Sequence, residues 1–305
     1  MGLTFDDGPL YFPITVFGAS GGVDLATTAS LIEERMAQGA GGVFPACGTG
    51  EFAALAPDEA IAVVAATVHT VGGRLPVVAG VGGAVGTAVR SAKAVQDAGA
   101  DGILLLPPYL SSGPQEGLRR YVEAVAAVTT LPVIVYHRAN ARFSPATFSG
   151  LLADLPNVVG LKDGIGDVAL AAELALAARA VRPNVLLFNG LLTAEASQLA
   201  YAGIGIPLYS SAVFAMAPGV ARAFHRALAR GDAQTCDKLL REFFYPLVAL
   251  RDSTPGYAVS LIKAGIALSE PRAGLPRPPL VEPSAVDLER LAALLRTAAE
   301  LTAQP

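Results

Sequence analysis

Short apolar runs rich in β-branched residues recur along the chain at intervals of roughly 30 residues, and each is followed by a segment of helical composition. Eight such runs read as strands: Phe12 to Val16, Gly42 to Ala46, Pro76 to Gly80, Gly102 to Leu106, Pro132 to Tyr136, Val158 to Lys162, Val185 to Asn189 and Gly205 to Tyr209. The intervening alanine- and leucine-rich segments, such as Leu25 to Gln38, Asp58 to Val71, Gly86 to Ala98 and Gln115 to Thr129, read as helices. Near-continuous apolar strands that alternate with helices predict a parallel sheet covered by helices. Gly39, Gly99 and Gly203 end helices just before strands, and Pro76, Pro132, Pro156 and Pro183 act as stops at the same point of other units. Eight repeats without a dinucleotide fingerprint after an early strand predict a (β/α)8 TIM barrel rather than a doubly wound sheet. Gly80-Val81-Gly82-Gly83 lacks the fingerprint spacing and reads as a tight barrel loop.

Beyond the eighth unit the pattern is purely helical, over Ala217 to Arg230, Asp232 to Leu250, Pro255 to Leu268 and Ala285 to Leu301, with a proline-rich connector from Pro271 to Pro283. The organisation expected is therefore a catalytic barrel over residues 1–230 and a C-terminal helical region over residues 231–305, an appendage to the barrel.

Composition narrows the function classes. Of 305 residues, 52% are hydrophobic and 16% charged. That charge content lies below the ~25% usual for soluble domains and predicts surface covered by other elements or by partner subunits. The mean hydropathy of +0.49 raises the question of a membrane span. The longest uncharged stretch, Ala196 to Ala221, is broken by Gly203, Gly205, Pro207, Ser210, Ser211 and Pro218, so no span is expected. Asp6 and Asp7 stand where a signal peptide would carry basic residues, which predicts a cytoplasmic protein. Two cysteines, Cys47 and Cys236, and three scattered histidines, His69, His137 and His225, argue against a disulfide scaffold and a metal site. A net charge of −4 without a basic run argues against nucleic acid.

In such a barrel, reactive groups sit where strands end and their loops begin. The rim positions are Cys47 to Glu51, Pro107 to Tyr109, Tyr136 to Arg138, Lys162 and Asp163, Asn189 and Gly190, and Tyr209 to Ser211. Lys93, Lys162, Lys238 and Lys263 are the lysines, and only Lys162 falls on this rim; the other three lie in helical segments and are expected in solvent. Lysine is rarely buried unless paired or functional, so Lys162 is either an ion-pair partner of Asp163 or Glu51 or a reactive amine. A desolvated amine attacks a ketone to form a Schiff base. Lowering a lysine pKa from ~10.4 to ~7.5 costs about 4 kcal/mol, within reach of a buried site. Tyr136, on the neighbouring strand, is the natural proton carrier, the alternative being a core tyrosine with a satisfied hydroxyl. His137 alternates with it and is expected to pack outside the barrel. Gly48-Thr49-Gly50-Glu51 offers amides and a hydroxyl to a carboxylate. Cys47 reads as a core filler.

These residues resemble the dihydrodipicolinate synthase/N-acetylneuraminate lyase family of Schiff-base-forming barrels. The resemblance runs through Gly48-Thr49-Gly50-Glu51, Gln115-Glu116-Gly117-Leu118, Tyr136, Val159-Gly160-Leu161-Lys162-Asp163, Asn189-Gly190 and Pro278-Pro279-Leu280-Val281. The chain departs from the synthases in having Gly48 before Thr49, Tyr109-Leu110 in place of an aromatic pair, and Ala141 where an arginine is usual, with Arg138 and Arg142 displaced nearby. Phe44-Pro45-Ala46-Cys47, Gly164-Ile165-Gly166-Asp167, Ser211-Ala212-Val213-Phe214 and Pro255-Gly256-Tyr257 point instead to a branch that dehydrates and decarboxylates a sugar acid.

The resemblance implies a small-molecule substrate, a six-carbon 2-keto-3-deoxy diacid, converted without metal or organic cofactor to 2,5-dioxopentanoate, water and carbon dioxide. It implies assembly as a homodimer or homotetramer, with which the low charge content agrees, and Lys162 and Tyr136 as catalytic residues. The implied substrate-binding set is Gly48, Thr49, Gly50, Arg138, Asn189, Gly190, Ser210 and Ser211, with Arg138, Asn189, Ser210 and Ser211 as unranked receptors for the distal carboxylate. The competing readings are an aldolase or lyase acting on another 2-keto acid and a silent barrel that binds a sugar acid.

Overall fold

The computed structural model describes residues 2–303. The repeating units run β1 (Leu10–Tyr11), α1 (Leu25–Ala37), β2 (Gly42–Val43), α2 (Pro57–Val71), β3 (Val78–Val81), α3 (Val85–Asp97), β4 (Gly102–Leu105) and α4 (Gln115–Ala126). They continue with β5 (Val133–His137), α5 (Pro145–Asp154), β6 (Val158–Asp163), α6 (Val168–Val181), β7 (Leu186–Asn189), α7 (Glu195–Gly203) and β8 (Leu208–Ser211). Short α8 (Val213–Met216) leads into α9 (Pro218–Arg230), α10 (Ala233–Leu239), α11 (Tyr245–Arg251), α12 (Tyr257–Ser269) and α13 (Ala285–Ala303).

All ladders are parallel, in the order β2-β1-β8-β7-β6-β5-β4-β3. The remaining seam is closed by a parallel bridge between Val43 and Val77, which gives the expected (β/α)8 barrel. Helix starts are fixed locally: Asp24, Ser144 and Asp167 accept bonds from the backbone N–H groups of Thr27, Thr147 and Leu170 at the starts of α1, α5 and α6. Among the described residues, no helix is long and apolar enough to cross a membrane.

Most strands lie within one or two residues of the apolar runs that predict them, while β1, β2 and β8 depart by three or more at one end, each for a backbone reason. β1 pairs only at Leu10 and Tyr11, because Pro13 has no N–H to donate, and Phe12 to Val16 continue as buried extended chain. β2 ends at Val43, since Pro45 follows and Ala46 turns to φ +51. β8 starts three residues later than the run suggests, because Gly205 (φ +81) still belongs to the turn after α7 and Pro207 cannot donate.

Strand alternation divides the core in two. Inward positions Leu10, Phe12, Phe44, Val78, Leu104, Ile134 and Phe188 fill the barrel, where Phe12 stacks on Phe44 at 4.5 Å between ring centroids. Outward positions such as Val43, Ile103, Val135 and Leu187 meet the helices. The residues after 230 build no core of their own. Phe243, Phe244, Leu261 and Leu291 join one apolar cluster with Tyr11, Ile32 and Phe224 of the barrel.

Behind β8 the outward Ser211 donates to Glu195 Oε1 at 2.5 Å, and Glu195 Oε2 has no protein partner among the described residues. Burial pushes this carboxyl up to about 7, against the opposing effect of the Ser211 bond. The folded state therefore holds a proton that the unfolded chain has released above about pH 4.5. Stability from this group is complete below about pH 4.5 and declines as pH rises to about 7, by roughly 3 kcal/mol in total. Glu195→Gln abolishes that decline, so denaturant titrations should show the variant gaining on the parent as pH rises from 4.5 to 7. Parallel stability profiles would contradict a neutral Glu195.

Candidate active site

At the C-terminal rim of the barrel a cleft of about 750 Å³ is walled mainly by apolar groups, with Thr49, Tyr136, Arg138, Lys162 and Ser210 among its polar side chains. Lys162 is near the end of β6, in register with Tyr136 on β5 and Phe188 on β7. A register shift in the β5–β6 ladder between Val133 and Ile134 sets the parity: Gly160 and Lys162 point inward, while Leu161 and Asp163 point outward. Lys162 is 4% exposed. Its Nζ lies 4.0 Å from the Tyr136 ring centroid and 5.1 Å from that of Phe12. It forms no ion pair with either carboxylate considered above.

Those carboxylates are committed elsewhere. Asp163 points outward, accepts from the Tyr201 hydroxyl and from the amides of Ile165 and Gly166, and lies 3.9 Å from His137 Nε2. Glu51 pairs instead with Lys263 Nζ at 2.5 Å. Lys263 is 1% exposed, which corrects the expectation that Lys162 alone among the lysines is buried. The other two, Lys93 and Lys238, are exposed, as expected.

The Tyr136 hydroxyl donates to the Gly190 carbonyl at 2.8 Å and accepts from Arg138 Nη1 at 2.8 Å. Burial pushes this phenol up, but the charges of Lys162 and Arg138 and their hydrogen bonds outweigh it and hold it below its ordinary range. His137, outside the barrel, accepts from the Phe143 amide at Nδ1, and burial lowers its pKa. Cys47 lines the cleft with a buried thiol pushed up to about 12 by desolvation, a poor nucleophile.

Gly190 packs so closely that a Cβ there would lie 2.6 Å from Lys162 Cγ and 2.7 Å from Nζ. Gly48 and Thr49 line the cleft. Gly50 is buried behind them, its carbonyl accepting from the Thr15 hydroxyl at 2.7 Å.

Two expected receptors face away from the cleft. Asn189 is outward on β7, and its amide donates to Ala194 O, Ser197 Oγ and Gln198 Oε1. Ser211 is outward on β8 against Glu195. Rim position alone selected them, whereas strand parity excludes them: Gly190 and Ser210 face in, and Asn189 and Ser211 face out. Among the proposed distal receptors, Arg138 and Ser210 therefore remain in the cleft. Arg251 also reaches it, but its guanidinium is held by Asp252 and Leu192 O.

The helical region supplies a wall that the strand-end reasoning omits: Val259 and Ile262 of α12 and Leu280 of the connector line the cleft. The signal for Lys263 was present, since it lies among Leu261, Ile262, Gly265 and Ile266, and the burial argument applied to Lys162 applies equally there.

The profile of the dihydrodipicolinate synthetase family matches residues 7–298. A probable 5-dehydro-4-deoxyglucarate dehydratase 1 of Streptomyces coelicolor is 48% identical over 295 residues, covering 96% of this chain and 93% of that protein. A probable 5-dehydro-4-deoxyglucarate dehydratase of Paracidovorax citrulli is 42% identical over 288 residues, covering 94% of each. Among solved structures, dihydrodipicolinate synthase from Oceanobacillus iheyensis superposes with a TM-score of 0.88 at 26% identity, covering 97% of both chains. A prophage protein of the same family from E. coli K12, solved in complex with pyruvate, gives 0.86 at 26% identity over 96% of this chain and 98% of that one. With nearly its whole length matched, the chain belongs to the dihydrodipicolinate synthetase family.

Proposed function

We propose that this chain is a Schiff-base-forming dehydratase and decarboxylase that converts 5-dehydro-4-deoxy-D-glucarate to 2,5-dioxopentanoate, water and carbon dioxide. The observation that carries the chemistry is a buried lysine amine over the ring of a tyrosine in a cleft, with no ion-pair partner among the described residues. The near full-length likeness to dehydratases named for that substrate directs the choice of reaction.

In this reading Lys162 Nζ adds to the ketone and expels water, giving a protonated imine. Thr49 and the amides of its loop receive the adjacent carboxylate. Tyr136 takes a proton from the methylene beside the imine, and its depressed pKa, set by Lys162 and Arg138, favours that step. The β-hydroxyl departs with a proton as water and leaves an alkene conjugated to the imine. Decarboxylation at the far end sends its electron pair through this system into the imine nitrogen. Protonation and tautomerisation then form the aldehyde, and hydrolysis frees Lys162. Arg138, whose Nη1 already donates to Tyr136, and Ser210 are the receptors proposed for the distal carboxylate. Gly190 holds Tyr136 through its carbonyl and leaves room for the lysine.

Incubation with 5-dehydro-4-deoxy-D-glucarate should release one carbon dioxide per 2,5-dioxopentanoate formed. Two carbon fragments without carbon dioxide would identify an aldolase instead. Borohydride in the presence of substrate should fix its carbon skeleton to Lys162, located by peptide mass mapping; an unmodified Lys162 in folded, ligand-bound protein removes the mechanism. Lys162→Met should abolish both trapping and turnover while leaving the fold at least as stable, because it replaces a buried polar amine that has no ion-pair partner among the described residues by an apolar side chain of similar length. Tyr136→Phe should retain trapping but lose about 10²–10⁴-fold in turnover, the usual contribution of one acid-base group.

Gly190→Ala follows from the close approach at Lys162. Its added methyl should cut borohydride trapping at least tenfold in a protein destabilised by about 1–3 kcal/mol, as overpacking generally does. Unchanged trapping kinetics would show that the lysine does not need that space.

A further inference from the structure

The loop that carries Gly48 and Thr49 is bounded by two residues in a backbone region that side chains disfavour, Ala46 at φ +51 and Glu51 at φ +58. Neither is glycine, and each such residue costs on the order of 1–3 kcal/mol unless its surroundings determine it. On the barrel side the loop is gripped by Thr15 Oγ1 donating to Gly50 O, and internally by Glu51 N–H to Gly48 O at 3.1 Å and Phe52 N–H to Cys47 O at 3.1 Å. On the other side the grip is ionic. Glu51 is 4% exposed, its Oε1 lies 2.5 Å from Lys263 Nζ, and its Oε2 accepts from the Arg277 amide at 2.8 Å.

Lys263 and Arg277 are fixed in turn. Lys263 donates to Leu275 O at 3.0 Å and lies 4.2 Å from the Phe17 ring centroid. The Arg277 guanidinium lies 4.1 Å from the same centroid and bonds Ala54 O, Gly21 O and both oxygens of Glu59. Burial drives the Lys263 ammonium below its ordinary range, while the bond to Glu51 and its charge oppose that shift. Replacing a buried ion pair by packed apolar groups is often neutral or stabilising, so fold stability alone is a weak reason for this one. Its position, directly after the proposed carboxylate receptor, supplies another.

We propose that Lys263 is a positioning residue which, through Glu51, holds the Gly48–Thr49 loop in the geometry that receives the keto-acid carboxylate. The inference rests on the Schiff-base reading above, and it assigns to α12 and the connector a part in substrate affinity rather than in the chemical step.

The test uses pyruvate, the shortest 2-keto acid, in borohydride trapping of Lys162 as a function of pyruvate concentration, with turnover of the full substrate measured alongside. Lys263→Met and Glu51→Gln each leave one buried group without its partner and should lose stability. The double variant Glu51→Gln/Lys263→Met removes both charges and should regain it, which keeps the experiment valid if a single variant fails to fold. In the double variant the pyruvate concentration for half-maximal trapping and the KM should rise about tenfold, while the trapped fraction at saturation and kcat stay within twofold of the parent. Lys238→Met, on an exposed lysine, should change neither. If the double variant recovers both stability and affinity, the pair is merely structural and the proposal is overturned. If kcat falls while KM holds, the pair acts on the chemistry and the proposal is likewise overturned. Failure of the parent enzyme to trap either pyruvate or the full substrate would instead remove the Schiff-base reading itself.

Discussion

A buried lysine amine without an ion-pair partner among the described residues is the constraint around which the rest of the rim is arranged. Lys162 is buried and bordered by the faces of Tyr136 and Phe12, which interact favourably with a positive charge without neutralising it as a carboxylate would. The nearby acids are all turned elsewhere: Asp163 outward to Tyr201, Glu51 to Lys263, and Glu195 behind β8 to Ser211. A carboxylate within about 4 Å of Lys162 would favour the ammonium and remove the nucleophile. Strand parity makes this segregation possible, because Lys162 and Asp163 are consecutive residues that face opposite sides of the same strand.

The barrel and its buried rim lysine are legible because they depend on local, repeating signals: eight apolar runs, helix stops before them, and one lysine at a strand end. Parity at the rim was less legible, since a shift of one residue exchanges the two faces and a strand end is known from sequence only to within a few residues. Asn189 and Ser211 were selected for rim position and lie outside the cleft for that reason. In β8 the rim offers two adjacent serines, and alternation admits Ser210 to the cleft while Ser211 turns to Glu195. Lys263 escapes a reading in which a helical segment means solvent, although α12 is buried against the barrel and its apolar composition carries that information.

The low charge content has a structural counterpart within one chain. The helices after residue 230 share an apolar cluster with β1, α1 and α9, and together with the connector they supply Val259, Ile262 and Leu280 to the cleft. A division at residue 230 therefore separates the repeating units from a segment that helps to wall their cleft. Thr49 is offered from the barrel side, while the groups that hold its loop come from α12 and the connector.

This arrangement distributes the cost of the site. Two non-glycine residues in left-handed conformations and an unneutralised lysine are local losses, and the surrounding structure offsets them with contacts that do no chemistry. The Phe12–Phe44 stack fills the barrel on the inner side of Lys162, and burying a phenylalanine side chain contributes about 1.5–3 kcal/mol. The Arg277 network ties the connector to Gly21, Ala54 and Glu59, so the strained loop is enclosed on both sides. Such offsets explain why residues distant in sequence from every rim position are needed to keep Thr49 and Lys162 facing one cleft. They also explain why reading the strand ends alone finds the reactive groups and misses what holds them.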